Sequence, residues 1–424
     1  MQTWEWKRFI AAGKLDARFT ALYGENRTEE QRSRWSRAIE AFETLWGERD
    51  VRLFSVPGRS EISGNHTDHN CGCVLAAAVD RDIIAVVSEN SDDVVRVKSE
   101  GFEPDTVVLR GTRSAQEAPF TSAALIRGIC DGLLRRGHAA CGFDAYTTSD
   151  VMKGSGLSSS AAFEVMIAEI ENVLANGSML QPAELAIIGQ YAENEYFGKP
   201  SGLMDQTACA VGSFIFIDFE KPAEAKIEKL PFDLQKAGYT LCVTDTGGNH
   251  ADLNEDYASV PQEMKAVAAT FGRDVLRGLD AETVLSRAAT LREKTGDRAI
   301  LRALHFFNEN DRVIRQKAAL EDGDIDTFLS LVSESGRSSF MYLQNVYTVK
   351  NVREQGLSLA LAVSDQLLRG KKAAFRVHGG GFAGTIQAFV PTEDTEMYRK
   401  GMERVFGEGS CHVLRIRAEG ATEL

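Results

Sequence analysis

The sequence predicts a mixed α/β (α+β) protein whose sheet is antiparallel or mixed, and not one built from regular βαβ units. Several short runs with strand-like alternation follow one another between residues 51 and 111, with no helical pattern among them. A strand, a glycine loop and a helix then succeed one another over 143–177, and a long helical region spans roughly 252–370. With 424 residues, the chain is long enough for two or three domains with a substantial core.

The first part of the chain is predicted to begin with helices and to continue as strands. Apolar residues recur at intervals of three and four over residues 1–48, which indicates helix. VRLFSVPG (51–58) predicts a strand that ends at Pro57-Gly58, and residues 73–90 predict one or two half-buried strands. VVRVKSEG and DTVVLRG predict two further short strands.

Helices and strands alternate in the later part of the chain. FDAYTTSD (143–150) predicts a strand that leads through the loop MKGSGL into a helix over 158–177. A second helix is predicted over 182–199, and Pro182 in its first turn is compatible with a helix start. GSFIFIDFE and YTLCVTDTG predict strands, and AAFRVHGGGFAGTIQAFVP (373–391) predicts a strand, a glycine loop and a strand. We expect a boundary between two lobes around 205–235.

Charge and cysteine content argue against several classes of protein. The chain has 61 acidic and 48 basic residues, a net charge of −13, so we expect no general attraction to nucleic acid. Seven scattered cysteines form no zinc-type pair and no disulfide framework, which predicts a reduced, cytoplasmic protein. The sequence has no signal-peptide pattern and no apolar run of membrane-spanning length, so we expect no membrane partner.

The segment KGSGLSSSAAFE (153–164) has the properties of a phosphate-binding loop. Its glycines let the backbone approach a ligand closely, and the N-terminus of the following helix offers free N–H groups and a positive dipole end. Three serines add hydroxyl groups that could also face a metal ion. The plainer alternative is that Ser158 only caps the helix. The Walker A and GxSxG patterns are both absent from the sequence.

Two other glycine-containing segments carry candidate residues. Asp205, in a predicted loop after a helix, could orient or deprotonate a hydroxyl group, or could cap the next helix. Glu193, about three helical turns earlier, could reach a metal ion. HGGGFAG matches GxGxxG through Gly379, Gly381 and Gly384, but a strand follows it, so it predicts a hairpin turn or a second ligand-binding glycine loop and not a Rossmann motif.

The stretch VPGRSEISGNHTDHNCG (56–72) concentrates polar side chains in a glycine-punctuated loop between predicted strands. No third ligand follows His66 and His69 at a zinc spacing, which argues against a zinc site. Asp, Asn and His side chains suit the vicinal hydroxyl groups of a sugar, since they can donate or accept hydrogen bonds. For His69 alone, we expect a turn residue that faces solvent.

Together these motifs resemble those of the GHMP kinase superfamily, and of galactokinases most closely. PGRSEISGNHTDHNCG is similar to the galactokinase signature PGRxNLIGEHTDYxxG, and KGSGLSSSAAFEV to the superfamily's phosphate loop. SGLMDQ is similar to the catalytic-aspartate segment, and HGGGFAGT to the C-terminal glycine motif. The resemblance implies two lobes, one like ribosomal protein S5 (1–215) and one ferredoxin-like (216–424), with the active site in the cleft between them.

The resemblance also implies a reaction and a role for each motif. ATP would phosphorylate the C1 hydroxyl of galactose to give α-galactose 1-phosphate and ADP, in a monomer or small homo-oligomer. Asp205 would be the base or orienting carboxylate, while Arg59 would stabilise the transferring phosphoryl group and hold Asp205 ionised. The implied ATP-binding residues are Lys153, Gly154, Ser155, Gly156, Leu157, Ser158 and Ser159. The implied Mg²⁺ ligands are Ser160 and Glu193, and the implied sugar-binding residues are Asn65, His66, Asp68, Gly202 and Tyr257.

Three positions depart from the family pattern. Asn65 replaces the glutamate that galactokinases associate with the C6 hydroxyl, and Lys153 is added where a proline usually precedes the phosphate loop. His69 replaces a tyrosine. Because a neutral amide would not repel an anionic C6 group, galacturonate or another C6-modified hexose is the alternative substrate.

Two other functions remain as alternatives. A non-catalytic sugar sensor is disfavoured by the intact GLSSSAA segment and by the presence of both Arg59 and Asp205. A mevalonate, homoserine or heptose kinase is disfavoured by the HTDH segment.

Overall fold

Two β-sheets organise the part of the chain that the structure describes. The structure is a computed structural model and describes residues 1–109, 118–151, 156–199, 201–248 and 253–424. The strands are β1 (Arg52–Ser63), β2 (Cys73–Glu89), β3 (Val94–Ser99), β4 (Asp105–Val108), β5 (Phe143–Ser149), β6 (Phe214–Asp218), β7 (Lys226–Leu230), β8 (Tyr239–Asp245), β9 (Ala374–His378), β10 (Thr385–Pro391), β11 (Cys411–Leu414) and β12 (Thr422–Glu423).

The helices cover the sheets and connect them. They are α1 (Thr3–Ala11), α2 (Asp16–Tyr23), α3 (Thr28–Trp46), α4 (Ser122–Arg135), α5 (Ser159–Ala175), α6 (Pro182–Ala192), α7 (Met204–Val211), α8 (Asn254–Ala269), α9 (Ala281–Ser286), α10 (Ala288–Thr295), α11 (Asp297–Glu321), α12 (Ile325–Ser338), α13 (Gly356–Leu367) and α14 (Thr395–Phe406). Single π-helical turns at Glu193–Phe197 and Ser339–Leu343 follow α6 and α12.

The first sheet has the strand order β12-β1-β2-β5-β3-β4, with β6 paired to β2 and β7 paired to β6. Every pair in it is antiparallel except β3 with β5. The second sheet, β11-β8-β10-β9, is antiparallel throughout. The predicted mixed α/β class and the predicted absence of regular βαβ units are therefore confirmed in the described part of the chain.

The first sheet is covered on both faces. Leu53, Ile84 and Val86 belong to the apolar cluster formed with helices α1 to α3, whereas their neighbours Ala85 and Val87 belong to the cluster formed with α4 to α7. Because both faces are buried, β1 and β2 are buried along almost their whole length. The second sheet packs between α12 on one side and α13 with α14 on the other.

Strand β1 corrects one prediction, because it continues through Pro57-Gly58 to Ser63. Pro57 pairs with Asp82 and the register then shifts before Arg59, so this irregularity accommodates the proline without ending the strand. The one or two strands predicted over 73–90 are a single strand, Cys73–Glu89, whose first part pairs with β6 and whose last part pairs with β5.

Two corrections concern the helices next to the site. The helix predicted over 182–199 ends at Ala192 and gives way to the π-helical turn. Asp205 lies in the first turn of α7 and not in a loop. The predicted helical region 252–370 is confirmed as α8 to α13 where it is described.

The C-terminus returns to the first sheet, since β12 pairs with β1. Arg417 is buried there and forms an ion pair with Asp82 at 3.2 Å. The division into lobes at 215/216 stays a prediction. No described helix combines the length and apolar character needed to cross a membrane.

Candidate active site

Arg59 and Asp205 form a bidentate ion pair between the irregular part of β1 and the first turn of α7. Nε and Nη2 of Arg59 donate to Oδ1 and Oδ2 of Asp205 at 2.7 and 2.6 Å. Desolvation alone would raise the pKa of Asp205, but the charge and hydrogen bonds of Arg59 hold the pKa below its usual value. The carboxylate is therefore ionised at neutral pH, and its side chain is 28% exposed, so a ligand can reach it.

The serine-rich loop, the candidate phosphate-binding segment at residues 153–159, is hydrogen-bonded to this ion pair through its described residues. Ser158 donates from Oγ to Oδ2 of Asp205 at 2.5 Å, and the backbone N–H of Arg59 donates to the Leu157 carbonyl at 3.0 Å. Arg59 also donates through Nη1 to the carbonyl of Gly156. Gly156, Leu157 and Ser158 are thus held by Arg59 and Asp205, through the two charged side chains and the backbone N–H of Arg59.

Ser158 does not act as a helix cap. It has a left-handed backbone (φ 60°) and its side chain makes no capping hydrogen bond to α5, since its hydroxyl is donated to Asp205. The interpretation that Ser158 only caps the helix is therefore wrong. Among the described residues, no side chain caps the N–H groups of the first turn, which begins with Ser159 and Ser160, so in this part of the chain they can bind an anion. Lys153, Gly154 and Ser155 lie outside the described residues.

The C-terminal glycine motif forms the turn of the β9–β10 hairpin and packs on the serine-rich loop. Gly156 has a φ of +74°, and a Cβ atom there would lie 2.8 Å from Thr385 Oγ1 and 2.9 Å from His378 Nδ1. Nε2 of His378 accepts from the backbone N–H of Glu61 at 3.3 Å, so Nδ1 carries the hydrogen and donates to Thr385 Oγ1 at 2.8 Å. Burial lowers the pKa of His378 to about 3, which keeps this link between β1 and the hairpin neutral.

Glu193 lies in the π-helical turn with only 3% of its side chain exposed. Its two carboxylate oxygens accept from Lys199 Nζ at 2.8 Å and from Gln206 Nε2 at 2.9 Å. Gln206 Nε2 also donates to Oε2 of Glu164 at 2.8 Å. The remaining Oε1 atoms of Glu164 and Gln206 are buried and have no hydrogen-bond partner among the described residues.

These oxygen atoms fit a hard cation such as Mg²⁺, which prefers carboxylate and other oxygen ligands. Burial and the charge of Glu193 raise the pKa of Glu164 well above its usual value, so it is neutral unless a cation lies nearby. In the described part of the chain, no three His, Cys, Asp or Glu side chains form a ready metal cluster. A Mg²⁺ ion at this place would therefore keep several waters or phosphate oxygens in its shell.

Two neighbouring cavities open beside α7. A cavity of about 150 Å³ is lined by Glu61, Gly64, Asn65, His66, Asp68, His69, Val74, Met204 and Gly380. A second cavity of about 370 Å³ shares Asp68 and His69 and adds Gly202 and Leu203, among others. Since Leu203 and Met204 directly precede Asp205, both cavities lie next to the ion pair.

The side chains of Asn65 and His66 are fixed by the hairpin loop. Nδ2 of Asn65 donates to Glu61 Oε1 at 2.9 Å and to the Gly379 carbonyl, and its Oδ1 accepts from Asn345 at 2.6 Å. His66 has a left-handed backbone, and its Nε2 lies 2.9 Å from the Gly380 carbonyl. Desolvation lowers the pKa of His66, so the neutral ring donates from Nε2 and keeps Nδ1 as an acceptor.

Asp68, Gly202 and Tyr257 complete the predicted sugar site. A Cβ atom on Gly202 would lie 2.5 Å from Asp68 Oδ2, so these two residues are in contact in the wall of the larger cavity. Tyr257 donates from its hydroxyl to the Gly381 carbonyl at 2.8 Å, and its ring lies against Gly380. His69 lies in the short turn Asp68–Asn70 with 43% of its side chain exposed, which confirms the expectation of a solvent-facing turn residue.

Sequence reasoning missed Glu61, which lines the smaller cavity and contacts Asn65. Burial raises the pKa of Glu61 to about 7. The signal was present in the signature, where asparagine stands at position 61 and glutamate at 65, so the carboxyl and the amide have exchanged places. The reasoning from Asn65 alone therefore left out a carboxyl group of the same pocket, because Glu61 lies 2.9 Å away. His378 and Gln206 were also missed, since no local pattern indicates their partners.

Comparisons with known proteins identify the family to which this chain is similar. The model of the GHMP kinases N terminal domain matches residues 124–213, and that of the galactokinase galactose-binding signature matches residues 40–89. A galactokinase of Streptomyces coelicolor is 33% identical over 386 residues, covering 89% of this chain and 94% of the relative. A galactokinase of Glaesserella parasuis is 31% identical over 365 residues, covering 85% and 90%.

Solved structures have the same fold. Lactococcus lactis galactokinase complexed with galactose superposes with a TM-score of 0.75 at 22% identity, covering 91% of this chain and 98% of that one. Methanococcus jannaschii mevalonate kinase superposes with a TM-score of 0.60 at 14% identity, covering 87% and 98%. These similarities confirm the predicted fold class.

Proposed function

The chain belongs to the galactokinase family of the GHMP kinases, and we propose that it transfers the γ-phosphoryl group of ATP to the C1 hydroxyl of galactose. The products are α-galactose 1-phosphate and ADP. The observation that carries this proposal is the ionised Asp205, held by Arg59 and Ser158 at the junction of a serine-rich helix N-terminus and a polar cavity.

Asp205 receives or orients the proton of the C1 hydroxyl during transfer. Its low pKa makes it a weak base, so we propose that fixing the direction of the hydroxyl is the larger part of its contribution. Arg59 holds the carboxylate and offsets negative charge on the transferring phosphoryl group. These roles are supported by the bidentate pair, because it fixes both side chains before substrate binds.

The serine-rich loop binds the triphosphate in this proposal. The residues are Lys153, Gly154, Ser155, Gly156, Leu157, Ser158 and Ser159. Ser160 and Glu193 would hold Mg²⁺, which, when bound, neutralises charge on the phosphate oxygens. Support comes from the first turn of α5, which no described side chain caps, and from the buried oxygens of Glu164 and Gln206 near Glu193, which have no partner among the described residues.

The sugar is proposed to occupy the smaller cavity, which Asn65, His66 and Asp68 line. The other two predicted sugar-binding residues lie beside it, Gly202 in the wall of the larger cavity and Tyr257 against Gly380. Nδ1 of His66 and the carboxylate of Asp68 supply hydrogen-bond acceptors for its hydroxyl groups. We also propose lobes at 1–215 and 216–424, a monomer or small homo-oligomer, and a cytoplasmic location. The location is supported by the seven cysteines, all of which are free thiols.

A coupled ADP-release assay tests the proposal on galactose, galacturonate, glucose, galactosamine and N-acetylgalactosamine. We expect turnover with galactose, and we expect Asp205→Asn to lower kcat at least about 10²-fold, the usual scale for a positioned acid–base group. An unchanged melting temperature of the variant would show that its fold is intact. Absence of turnover on every hexose would contradict the proposal and favour the sugar sensor, and near-normal turnover by Asp205→Asn would remove this residue from the mechanism.

A further inference from the structure

Glu61 has a carboxylate oxygen that no described residue binds. Its Oε1 accepts from Asn65 Nδ2 at 2.9 Å and lies 3.5 Å from Nη2 of Arg376. None of the described residues donates a hydrogen bond to Oε2, and this atom is not among the fully enclosed unpartnered ones. Because Glu61 lines the smaller cavity while only 6% of the residue is exposed, Oε2 is open to a ligand in that cavity.

Asn65 holds Glu61 in this position. Both amide hydrogens of Asn65 are donated within the protein, one to Glu61 and one to the Gly379 carbonyl. Its Oδ1 accepts from Asn345, so the amide is fixed from three sides. Asn65 therefore has no free donor for a ligand, whereas the carboxyl group that it orients still has an acceptor.

Resting on the proposed sugar kinase function, we propose that Glu61 is a sugar-binding residue of this chain, whose Oε2 accepts a hydrogen bond from a galactose hydroxyl group. A carboxyl group that is buried with a single hydrogen bond is costly unless a ligand supplies further donors. Hydroxyl groups of a sugar are such donors, and they bind the neutral or the ionised carboxyl through the same oxygen.

The exchange of residues relative to the signature supports the same inference independently. The signature has asparagine at position 61 and glutamate at position 65, whereas this chain has Glu61 and Asn65. The pair therefore still consists of one carboxyl group and one amide. A purely structural pair would direct both polar groups into the protein. Here the amide is fully used by the protein and the carboxyl is not.

The test is Glu61→Gln, assayed by ADP release with galactose and with its 2-, 3-, 4- and 6-deoxy analogues, all of which keep the C1 hydroxyl. We expect kcat/KM for galactose to fall at least about 10-fold, since a site that binds a hydroxyl group discriminates strongly through it. For the one analogue that lacks the contacted hydroxyl, the wild type and Glu61→Gln should have equal kcat/KM. An equal loss on all five sugars, or no loss on any, would overturn the proposal.

Two controls keep the result decisive. If Glu61→Gln does not fold, Glu61→Asp replaces it, since this variant keeps the charge near Arg376 but withdraws the carboxyl from the cavity by one methylene. The same selective pattern is then expected, and a uniform loss again overturns the role of Glu61. The wild type separates the two proposals: if it phosphorylates no hexose the proposed function fails, whereas an active wild type with an unimpaired Glu61→Gln refutes only the sugar contact.

Discussion

Gly202 provides a direct test of whether Asp68 must be positioned accurately. A Cβ atom at position 202 would lie 2.5 Å from Asp68 Oδ2, which is 0.9 Å (3.4 − 2.5) short of ordinary van der Waals contact. Within the described part of the chain, the heavy atoms that it would approach belong to Asp68 alone, and the φ of Gly202 is outside the left-handed region. Gly202→Ala therefore displaces the Asp68 carboxylate without straining its own backbone.

The expected magnitude follows from this displacement. A misplacement of about 1 Å in a site that positions its substrate costs about 10²-fold in rate, or about 3 kcal/mol of transition-state stabilisation. We expect kcat/KM of Gly202→Ala for galactose to fall by this factor, measured by ADP release over a range of galactose concentrations. The melting temperature should change little, because Asp68 is partly exposed and can move toward solvent.

A double-mutant cycle with Asp68→Ala decides whether the loss passes through Asp68. Without the carboxylate, Gly202→Ala has nothing to displace, so its further effect should be small and the coupling energy about 3 kcal/mol. Additive losses would refute the reasoning, as would a Gly202→Ala enzyme with wild-type kcat/KM.

Two further predictions concern the loop and its support. Gly156→Ala would crowd Thr385 and His378 and should weaken ATP binding, measured by titration calorimetry. The matched control Gly177→Ala has a similar positive φ but no described neighbour within 4 Å, so it should lose stability by about 1 kcal/mol and keep its ATP affinity. Equal ATP affinities of the two variants would contradict the packing argument. The third variant concerns Glu309, a buried carboxylate that accepts hydrogen bonds from Ser63, Gly64 and Ser335. Burial alone would raise the pKa of Glu309, but the charges of His305, Arg312 and Arg376 hold the pKa at about 2, against an ordinary 4.5. The ionised Glu309 therefore adds about 3 kcal/mol to the free energy of unfolding above pH 4.5, and this contribution is lost as the pH falls toward about 2. The free energies of unfolding of the wild type and of Glu309→Gln, measured with urea, should diverge as the pH rises from about 2 to 4.5. A constant difference between them over this range would contradict the assignment of the pKa shift to Glu309.

Much of the fold could be predicted because hydrophobic periodicity is a local property. For this reason the sequence predicts helix α5 and the two strands β9 and β10 with the glycine loop between them. The continuation of β1 past Pro57-Gly58 could not be predicted, because pairing with β2 resumes at Arg59 and outweighs the local turn preference. The place of Asp205 was missed for a similar reason, since α7 is a short helix whose packing and not its pattern defines it.

The candidate site was predicted only as far as its motifs extend. The four motifs do meet, and Arg59, Ser158 and Asp205 touch. Their supports come from distant parts of the chain: Asn65 is bonded to a side chain 280 residues away and to a backbone carbonyl 314 residues away. Every residue has a backbone carbonyl group, so the sequence does not indicate which carbonyl a side chain will contact. Such partners can be identified only from the folded structure.

The exchange at positions 61 and 65 shows why a departure from a signature must be interpreted with the side chain that contacts it. Considered alone, Asn65 suggests a pocket without a carboxylate and hence a tolerance for an anionic sugar. With Glu61 at 2.9 Å, the pocket keeps that carboxyl group, and Asp68 contributes another. A carboxylate on the C6 atom of a hexose would be repelled by about 4 kcal/mol from each ionised group at about 4 Å, with an effective dielectric constant of about 20. A neutral sugar avoids this repulsion and supplies hydroxyl donors to the same oxygens whether Glu61 is neutral or ionised. The preference of the cavity for galactose over galacturonate should therefore increase as the pH rises through about 7, where Glu61 ionises.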